Sequence, residues 1–560
     1  MESNRLIIAI VVTMAALFAY QEFLQWRYPN LYGPNARHSV VATPPADVSP
    51  LALNTGTSGE TAPTPSGNSV ATLNSGGTTP VAGAIKVFTE RTFKIETDLY
   101  EATLTSRGAR LTSFKLKKYR ATTAPDSPYY EAIRPGVRMP LGVTVGDTNA
   151  SDADIDYSTG APAATEVAGE PATIIFKGTS GSGVKLEKTF VFRPSTYVFD
   201  VTATATTANG AAPNGLGFTM SQPLTVLSGY RDYPEIQADV AGKPLTELEK
   251  AVQKGVPPVS GAITYAGFGD RYFLAVFLPT QPNTGTLSVN YVGGEADAQL
   301  SFSATGKVAS RVYIGPKALE VLEAADPALS KAIDLGFWGI IALPFLRLLK
   351  FFYRVVPNYG IAIILLTIVV RLVTLPMSIR GQRSMMRMQR LQPQVERIRE
   401  KHKDDSERLN REMVDLYKRN HVNPLGGCLP MVIQFPVFIG LYQALLNAVD
   451  LRHARFFGWI QDLSAPDCLH IAGFPQIPLT TCHGIPVLVA LMTVSTFLQQ
   501  WMMPRQPDPS QQKMMMFMPL AFSIIFLQLP AGLSLYYFAS NVLGIGQQFV
   551  LNREFKQTDS

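Results

Sequence analysis

A chain of 560 residues, 46% of them apolar and with a mean hydropathy of +0.10, is too long for one ordinary domain and too apolar on average for a purely soluble protein. Its net charge of +6 and pI near 9.0 would suit nucleic acid, but the basic residues stand beside apolar runs, where positive charge more often sets orientation in a membrane. Three cysteines without a CxxC pair or regular ligand spacing exclude a disulfide scaffold and a zinc finger.

In chain order, residues 6–18 form an apolar run behind Arg5, as in a cleaved signal peptide or an uncleaved anchor. The pattern continues through Phe23 and Leu24 to Trp26 and Tyr28 instead of stopping at a small-residue cleavage site, which favours a signal-anchor transmembrane helix over 1–28. Residues 29–84 are rich in Ala, Thr, Ser, Pro and Gly and read as a flexible tether. Across 85–330 short alternating segments such as Phe93-Lys-Ile-Glu-Thr and Thr189-Phe-Val-Phe are punctuated by Gly, Pro, Asn and Asp, the pattern of an antiparallel β-sandwich. It holds neither a charged catalytic cluster nor a Gly-rich phosphate loop, so a structural or partner-docking domain is expected.

Over 331–356 an apolar stretch carries Arg347, Lys350 and Arg354 on one helical face, as in an amphipathic helix lying in the outer interface. Five apolar spans follow at 359–378, 425–448, 485–503, 514–529 and 533–551, within a five-helix core over 357–552. With the anchor they make six transmembrane helices. Basic residues from Arg380 to Arg419 crowd the loop between the first two of the five, which places that loop in the cytoplasm. The β domain and the 450–483 loop then lie outside, and both chain ends inside. The cytoplasmic segment 380–421 repeats Met388, Leu391, Val395 and Ile398, then Leu409, Met413 and Leu416, at near-heptad spacing, which predicts an antiparallel helical hairpin. Met385, Met386 and Met388 at its base are candidates to contact apolar nascent chains, because thioether side chains adapt to many shapes.

Arg371 is the one formal charge in the interior of any of these five spans. Such a residue costs about 2.5–3.5 kcal/mol on insertion scales and marks a functional site by default, snorkelling to the cytoplasmic headgroups being the bland alternative. Thr367 lies one turn earlier on the same face. Gln434 sits between Pro430 and Pro436, and Ser534, Tyr537 and Asn541 form an i, i+3, i+7 stripe on the last span. Together they have the composition of a wet cavity lining; singly, such residues more often bond a neighbouring helix. No acidic residue in the spans neutralises Arg371, so water or the acidic part of a substrate is its expected partner. Cys468 and Cys482, near His470 and His483, do not match standard zinc spacing; an extracytoplasmic disulfide is expected instead.

The string from Val422-Asn-Pro-Leu-Gly-Gly to Ile439-Gly-Leu-Tyr, with Leu391-Gln-Pro, Gln511-Gln-Lys-Met-Met-Met-Phe-Met-Pro and Gly532-Leu-Ser-Leu-Tyr-Tyr-Phe-Ala-Ser-Asn, resembles the YidC membrane-protein insertase family. The resemblance covers about the last 230 residues, and the anchor, tether and β domain are similar to the Gram-negative type. It implies an inner-membrane insertase and chaperone without enzymatic activity, ATP or any cofactor. Its helical core would hold a hydrophilic groove open to cytoplasm and lipid, next to a periplasmic β-supersandwich. Arg371, Thr367, Gln434 and Tyr537 match groove or substrate positions of the family. The implied partners are nascent membrane proteins, the bilayer and the Sec translocon (SecYEG, SecDF). The tail at 553–560 lacks the long basic extension by which some relatives hold ribosomes, so only weak ribosome contact is expected.

Rival readings fare less well. A secondary transporter would show related halves and several membrane-embedded ionisable groups. An intramembrane protease needs a base at depth, and no histidine lies in the five spans. A Sec-dependent accessory without insertion activity of its own is the strongest alternative. A monomer is expected, because no G-x-x-x-G motif stands out in a span.

Overall fold

The computed structural model describes residues 90–557 apart from 134–137, 147–149, 224–233, 249–251, 282, 293, 403–404, 421–428, 478–479, 481 and 504–508. The expected anchor over 1–28, the tether over 29–84 and the last three residues of the tail lie outside the described residues.

Two sheets build the β domain. In the first, strands Tyr129–Ile133, Arg110–Arg120, Tyr100–Thr105 and Thr92–Glu96 run antiparallel in that order, and Ala164–Glu166 adds in parallel at the edge. The second has thirteen strands, with Ala150–Ser151 at one edge and Ala172–Thr179 at the other. Period-2 alternation decides which side chains meet. Phe93 and Ile95 turn inward while Thr92 and Lys94 face solvent. A chain of rings then joins the sheets: Phe93 lies 5.4 Å from Phe176 and Phe114 lies 6.3 Å from Phe199, with Tyr100 stacked on Phe114 at 4.4 Å. Such offset and edge contacts add about 0.5–1.5 kcal/mol each beyond simple burial.

One inward position is a cation. On Lys185–Phe192 the residues facing the core are Leu186, Lys188, Phe190 and Phe192, and Lys188 is fully buried. Its ammonium lies 2.5 Å from Asp152 Oδ2 and donates to the carbonyls of Gly108 and Leu141 at 2.6 and 2.9 Å. Asp152 also accepts from Arg110 Nη2 at 2.8 Å and from the Val143 amide at 3.0 Å. Burial pushes the Lys188 ammonium down to about 8, against the upward pull of Asp152, so the group still carries its charge at neutral pH. Three loops separated in sequence meet at this ion cluster.

The helical part begins with α1 (Leu319–Ala325) and, after a 3-10 turn at Pro327–Ala332, α2 (Gly339–Val355). Ala342, Leu346 and Leu349 of α2 are buried, and its basic face meets carboxylates: Arg347 lies 3.8 Å from Glu323, Arg354 2.5 Å from Glu320 and Lys350 3.2 Å from Asp450. Then come α3 (Tyr359–Arg390), α4 (Gln392–Lys401), α5 (Ser406–Arg419), α6 (Leu429–Asn447), α7 (Val487–Met502), α8 (Pro509–Phe526) and α9 (Ala531–Gln557). The Asn358 side chain caps α3 by accepting from the Ile361 amide at 3.1 Å. The helix does not stop where its apolar stretch does, because nothing after Ser378 breaks the hydrogen-bond ladder. At 32 residues it is about 48 Å long. Among the described residues α3 alone is both long and apolar enough to cross a membrane; α7 is apolar but has 16 residues.

Helices α4 and α5 form the hairpin read from the heptads, closed by Leu391, Val395, Tyr417, Met413 and Leu416. The methionines at its base are not displayed. Met385, Met386 and Met388 are all buried, and Met388 packs into the hairpin's own cluster, where apolar side chains next to so many charges are driven inward.

If the β domain depends on the buried ion cluster, Asp152→Ala leaves Arg110 and Lys188 uncompensated and costs about 3–5 kcal/mol. Hydrogen exchange of the Lys185–Phe192 strand in the full-length protein checks this; protection within about 1 kcal/mol of wild type contradicts it.

Candidate functional site

Apolar residues drive α3 into the helical bundle, and at its seventh residue past Ile364 the pattern breaks. Arg371 is half-buried and reaches across to α9, where its Nε donates to Ser540 Oγ at 2.9 Å and its Nη2 to the Ser540 carbonyl at 2.7 Å. No carboxylate pairs with it among the described residues. A guanidinium holds five donors in a fixed fork, and Ser540 takes two of them. One turn along α9, Gly544 makes room: a Cβ placed there would lie 3.2 Å from Arg371 Nη2 and 2.5 Å from Gln499 Nε2 of α7. Three helices thus converge on one point with amide and guanidinium groups.

Gln434 of α6 donates from Nε2 to the hydroxyl of Tyr536 at 2.9 Å, so the polar wall continues toward the start of α9. The Tyr537 ring stands among apolar rings, 5.3 Å from Phe526 and 6.4 Å from Phe438. On the other side of Arg371, Gln547 Nε2 donates to Ser378 Oγ at 3.0 Å and to Gln382 Oε1 at 2.9 Å, joining α9 to the charged end of α3.

The six sequence candidates therefore separate. Arg371 and Gln434 both reach α9, at Ser540 and Tyr536. Thr367 is fully buried and its hydroxyl bonds back to the Ile363 carbonyl at 2.7 Å, inside its own helix. Ser534 is buried with no partner for its hydroxyl among the described residues. Asn541 faces α7, donating to Thr496 Oγ1 at 2.8 Å and Ser495 Oγ at 3.0 Å, and so ties two helices together away from Arg371. Sequence reasoning missed Tyr536, Ser540, Gly544 and Gln499. The signal for two of them was present: Ser540 and Gly544 extend the Tyr537 stripe by three and seven residues.

Residues 449–467 cover the end of the bundle at which α3, α7 and α9 begin. Gly360 at the start of α3 lies so close to Phe456 that a Cβ would come within 2.0 Å of the ring. The carbonyls of Leu463 and Ala465 accept from the first amides of α9, at 2.9 Å from Gly532 and 2.7 Å from Ala531. Asp467 is buried and receives the Leu488 amide of α7 at 2.5 Å and Trp459 Nε1 at 2.8 Å, while burial pushes its pKa up. Next to it Cys468 and Cys482 form a disulfide with Cα atoms 5.6 Å apart, beside the ribbon Leu469–His470 and Gly484–Ile485. One loop thus holds the starts of α3, α7 and α9.

Two family models match: residues 92–348 fit the YidC periplasmic domain and residues 351–558 the 60Kd inner membrane protein. Among named relatives, the membrane protein insertase YidC of Syntrophus aciditrophicus (strain SB) is 34% identical over 98% of this chain and 99% of its own. That of Oleidesulfovibrio alaskensis (strain ATCC BAA-1058 / DSM 17464 / G20) is 33% identical over 99% and 100%. A crystal structure of an active YidC insertase with its first transmembrane domain resolved aligns over 80% of this chain and 90% of that one, at 18% identity and a TM-score of 0.36. With both halves matched and relatives 33–34% identical along nearly their whole length, the chain belongs to the YidC membrane protein insertase family, inner-membrane proteins with a periplasmic domain that insert other proteins into the membrane.

Proposed function

We propose that the polar wall of Arg371, Ser540, Gln434 and Tyr536 lines a hydrophilic groove open to the cytoplasm and to lipid, and that nascent membrane proteins use it to pass their hydrophilic ends across without ATP. The observation that carries this reading is Arg371: a guanidinium in an apolar helix, held by two bonds to Ser540 and by no carboxylate among the described residues. Its remaining donors suit water or an acidic segment of the substrate. Residues 449–467 close the outer end, so a substrate's polar end meets a shortened barrier while its apolar span partitions into lipid, and that transfer supplies the driving force.

The same reading assigns six transmembrane helices, both termini in the cytoplasm, and a monomer. Thr367, Ser534 and Asn541 support the groove through helix packing, and Tyr537 through the shape of its wall. The buried Met385, Met386 and Met388 hold the base of the cytoplasmic hairpin and would meet a nascent chain only if that base opened. SecYEG and SecDF are assigned as partners.

Reconstitution into liposomes without Sec tests the reading, with protease protection of a small membrane protein that has a short acidic outer segment. Wild type is expected to insert it. Arg371→Ala is expected to lose about tenfold or more, the loss of one charged hydrogen-bond set. Normal insertion by Arg371→Ala would mean that the arginine merely snorkels, and no insertion by folded wild type would favour a Sec-dependent accessory.

Tyr537 separates wall shape from hydroxyl chemistry. Because its ring packs on Phe526 and Phe438, Tyr537→Phe should insert within about twofold of wild type, whereas Tyr537→Ala removes the ring and should fall well below it. Equal loss in both variants would assign the role to the hydroxyl.

A further inference from the structure

Domains joined by a linker move relative to one another by default unless a substantial interface holds them. At the junction after the last strand, α1 and α2 are joined by the ion pairs Arg354–Glu320 and Arg347–Glu323, but their side chains are 44–68% exposed and such pairs contribute little. A different contact stands out at the outer seal.

Arg452 follows the short 3-10 turn after α6 and turns away from the core. Its Nη1 donates to the Arg120 carbonyl at 2.7 Å and its Nη2 to the Ala121 carbonyl at 3.1 Å, both at the end of the Arg110–Arg120 strand. The guanidinium also stands 5.0 Å from the ring centre of Tyr130 and 5.6 Å from that of Phe273. These rings are buried and stacked on each other at 3.9 Å, and one comes from each sheet of the domain. Tyr130 is fixed in turn by its hydroxyl, which donates to Asp270 Oδ2 at 2.8 Å, and Tyr119 packs edge-on against Phe273 at 5.2 Å. A planar cation that donates from two nitrogens to two successive carbonyls and stands beside a stacked aromatic pair combines the forked donation particular to arginine with a cation–ring contact.

We propose that Arg452 is a latch that fixes the periplasmic β domain to the outer seal of the insertase core. The same loop that caps α7 through Asp467 and α9 through Leu463 and Ala465 carries the latch, so the pose of the β domain and the closure of the core's outer end are set by one element. The β domain is then a rigid extension of the core, presenting its surface at a fixed height and angle to anything that docks on it.

Pulsed electron–electron spin resonance on the full-length protein in nanodiscs tests this. Spin labels at Ser182→Cys in the β domain and Gln461→Cys in the seal report the distance, with Cys428→Ser as background and the native disulfide left intact. The latch predicts one narrow distance distribution in wild type, a clearly broader one in Arg452→Ala, and an intermediate one in Arg452→Lys. Tyr130→Leu, made from the β-domain side, should broaden it as well, and adding it to Arg452→Ala should broaden it no further. An unchanged narrow distribution in Arg452→Ala overturns the proposal. If that variant does not fold, narrow distributions in both Arg452→Lys and Tyr130→Leu overturn it instead.

Discussion

A guanidinium in the middle of an apolar helix costs about 2.5–3.5 kcal/mol on insertion scales, and the helical core is arranged around that cost at Arg371. Two of its donors are met by Ser540, the space for its fork is left by Gly544, and an amide from α7 approaches the same point. Keeping α9 at the right distance requires a second fixture, and Asn541 supplies it by bonding Ser495 and Thr496 of α7. The polar residues of the bundle thus fall into two groups. One, with Asn541, ties helices together, while the other, with Arg371, retains donors for something else.

The loop at 449–467 works the other way: it brings carbonyls, a carboxylate and aromatic rings to the starts of three helices, and on the proposed reading it keeps the groove from leaking. On the proposed reading this end is closed, and the donors around Arg371 are reached from the other, where Gln547 bonds Ser378 and Gln382 beside the charged extension of α3. Asymmetry between a sealed end and a polar end is what a path for one-way entry of hydrophilic segments requires.

Much of this was legible in the sequence, for reasons that also explain what was not. Alternation of period 2 exposed the β-sandwich, and it even places Lys188 with Leu186, Phe190 and Phe192; what the pattern omits is Asp152, which arrives from a distant loop. Hydropathy located the apolar stretches but not the helix ends, because α3 continues through Arg380 and Arg390 while its backbone bonds are satisfied. The stripe on α9 identified a polar face but not which neighbour it meets, so Asn541 and Arg371, both polar and both in spans, were grouped although they face different helices. Methionines beside basic residues suggested display, and burial won at Met385, Met386 and Met388. The seal and the Arg452 contact rest on pairs far apart in sequence, such as Arg452 with Arg120, which no local pattern encodes.

Whether the polar wall is wet from the cytoplasmic side is the point on which everything else turns, and thiol accessibility at Gln434 measures it directly. In a Cys428→Ser background, Gln434→Cys should react with a membrane-impermeant maleimide applied to the cytoplasmic face of inverted membrane vesicles, and stay unreactive to the same reagent applied from the outer face. Reaction from the outer face, or from neither face while a lipid-soluble maleimide labels it, would contradict a cytoplasmic groove and leave Arg371 as a buried structural arginine.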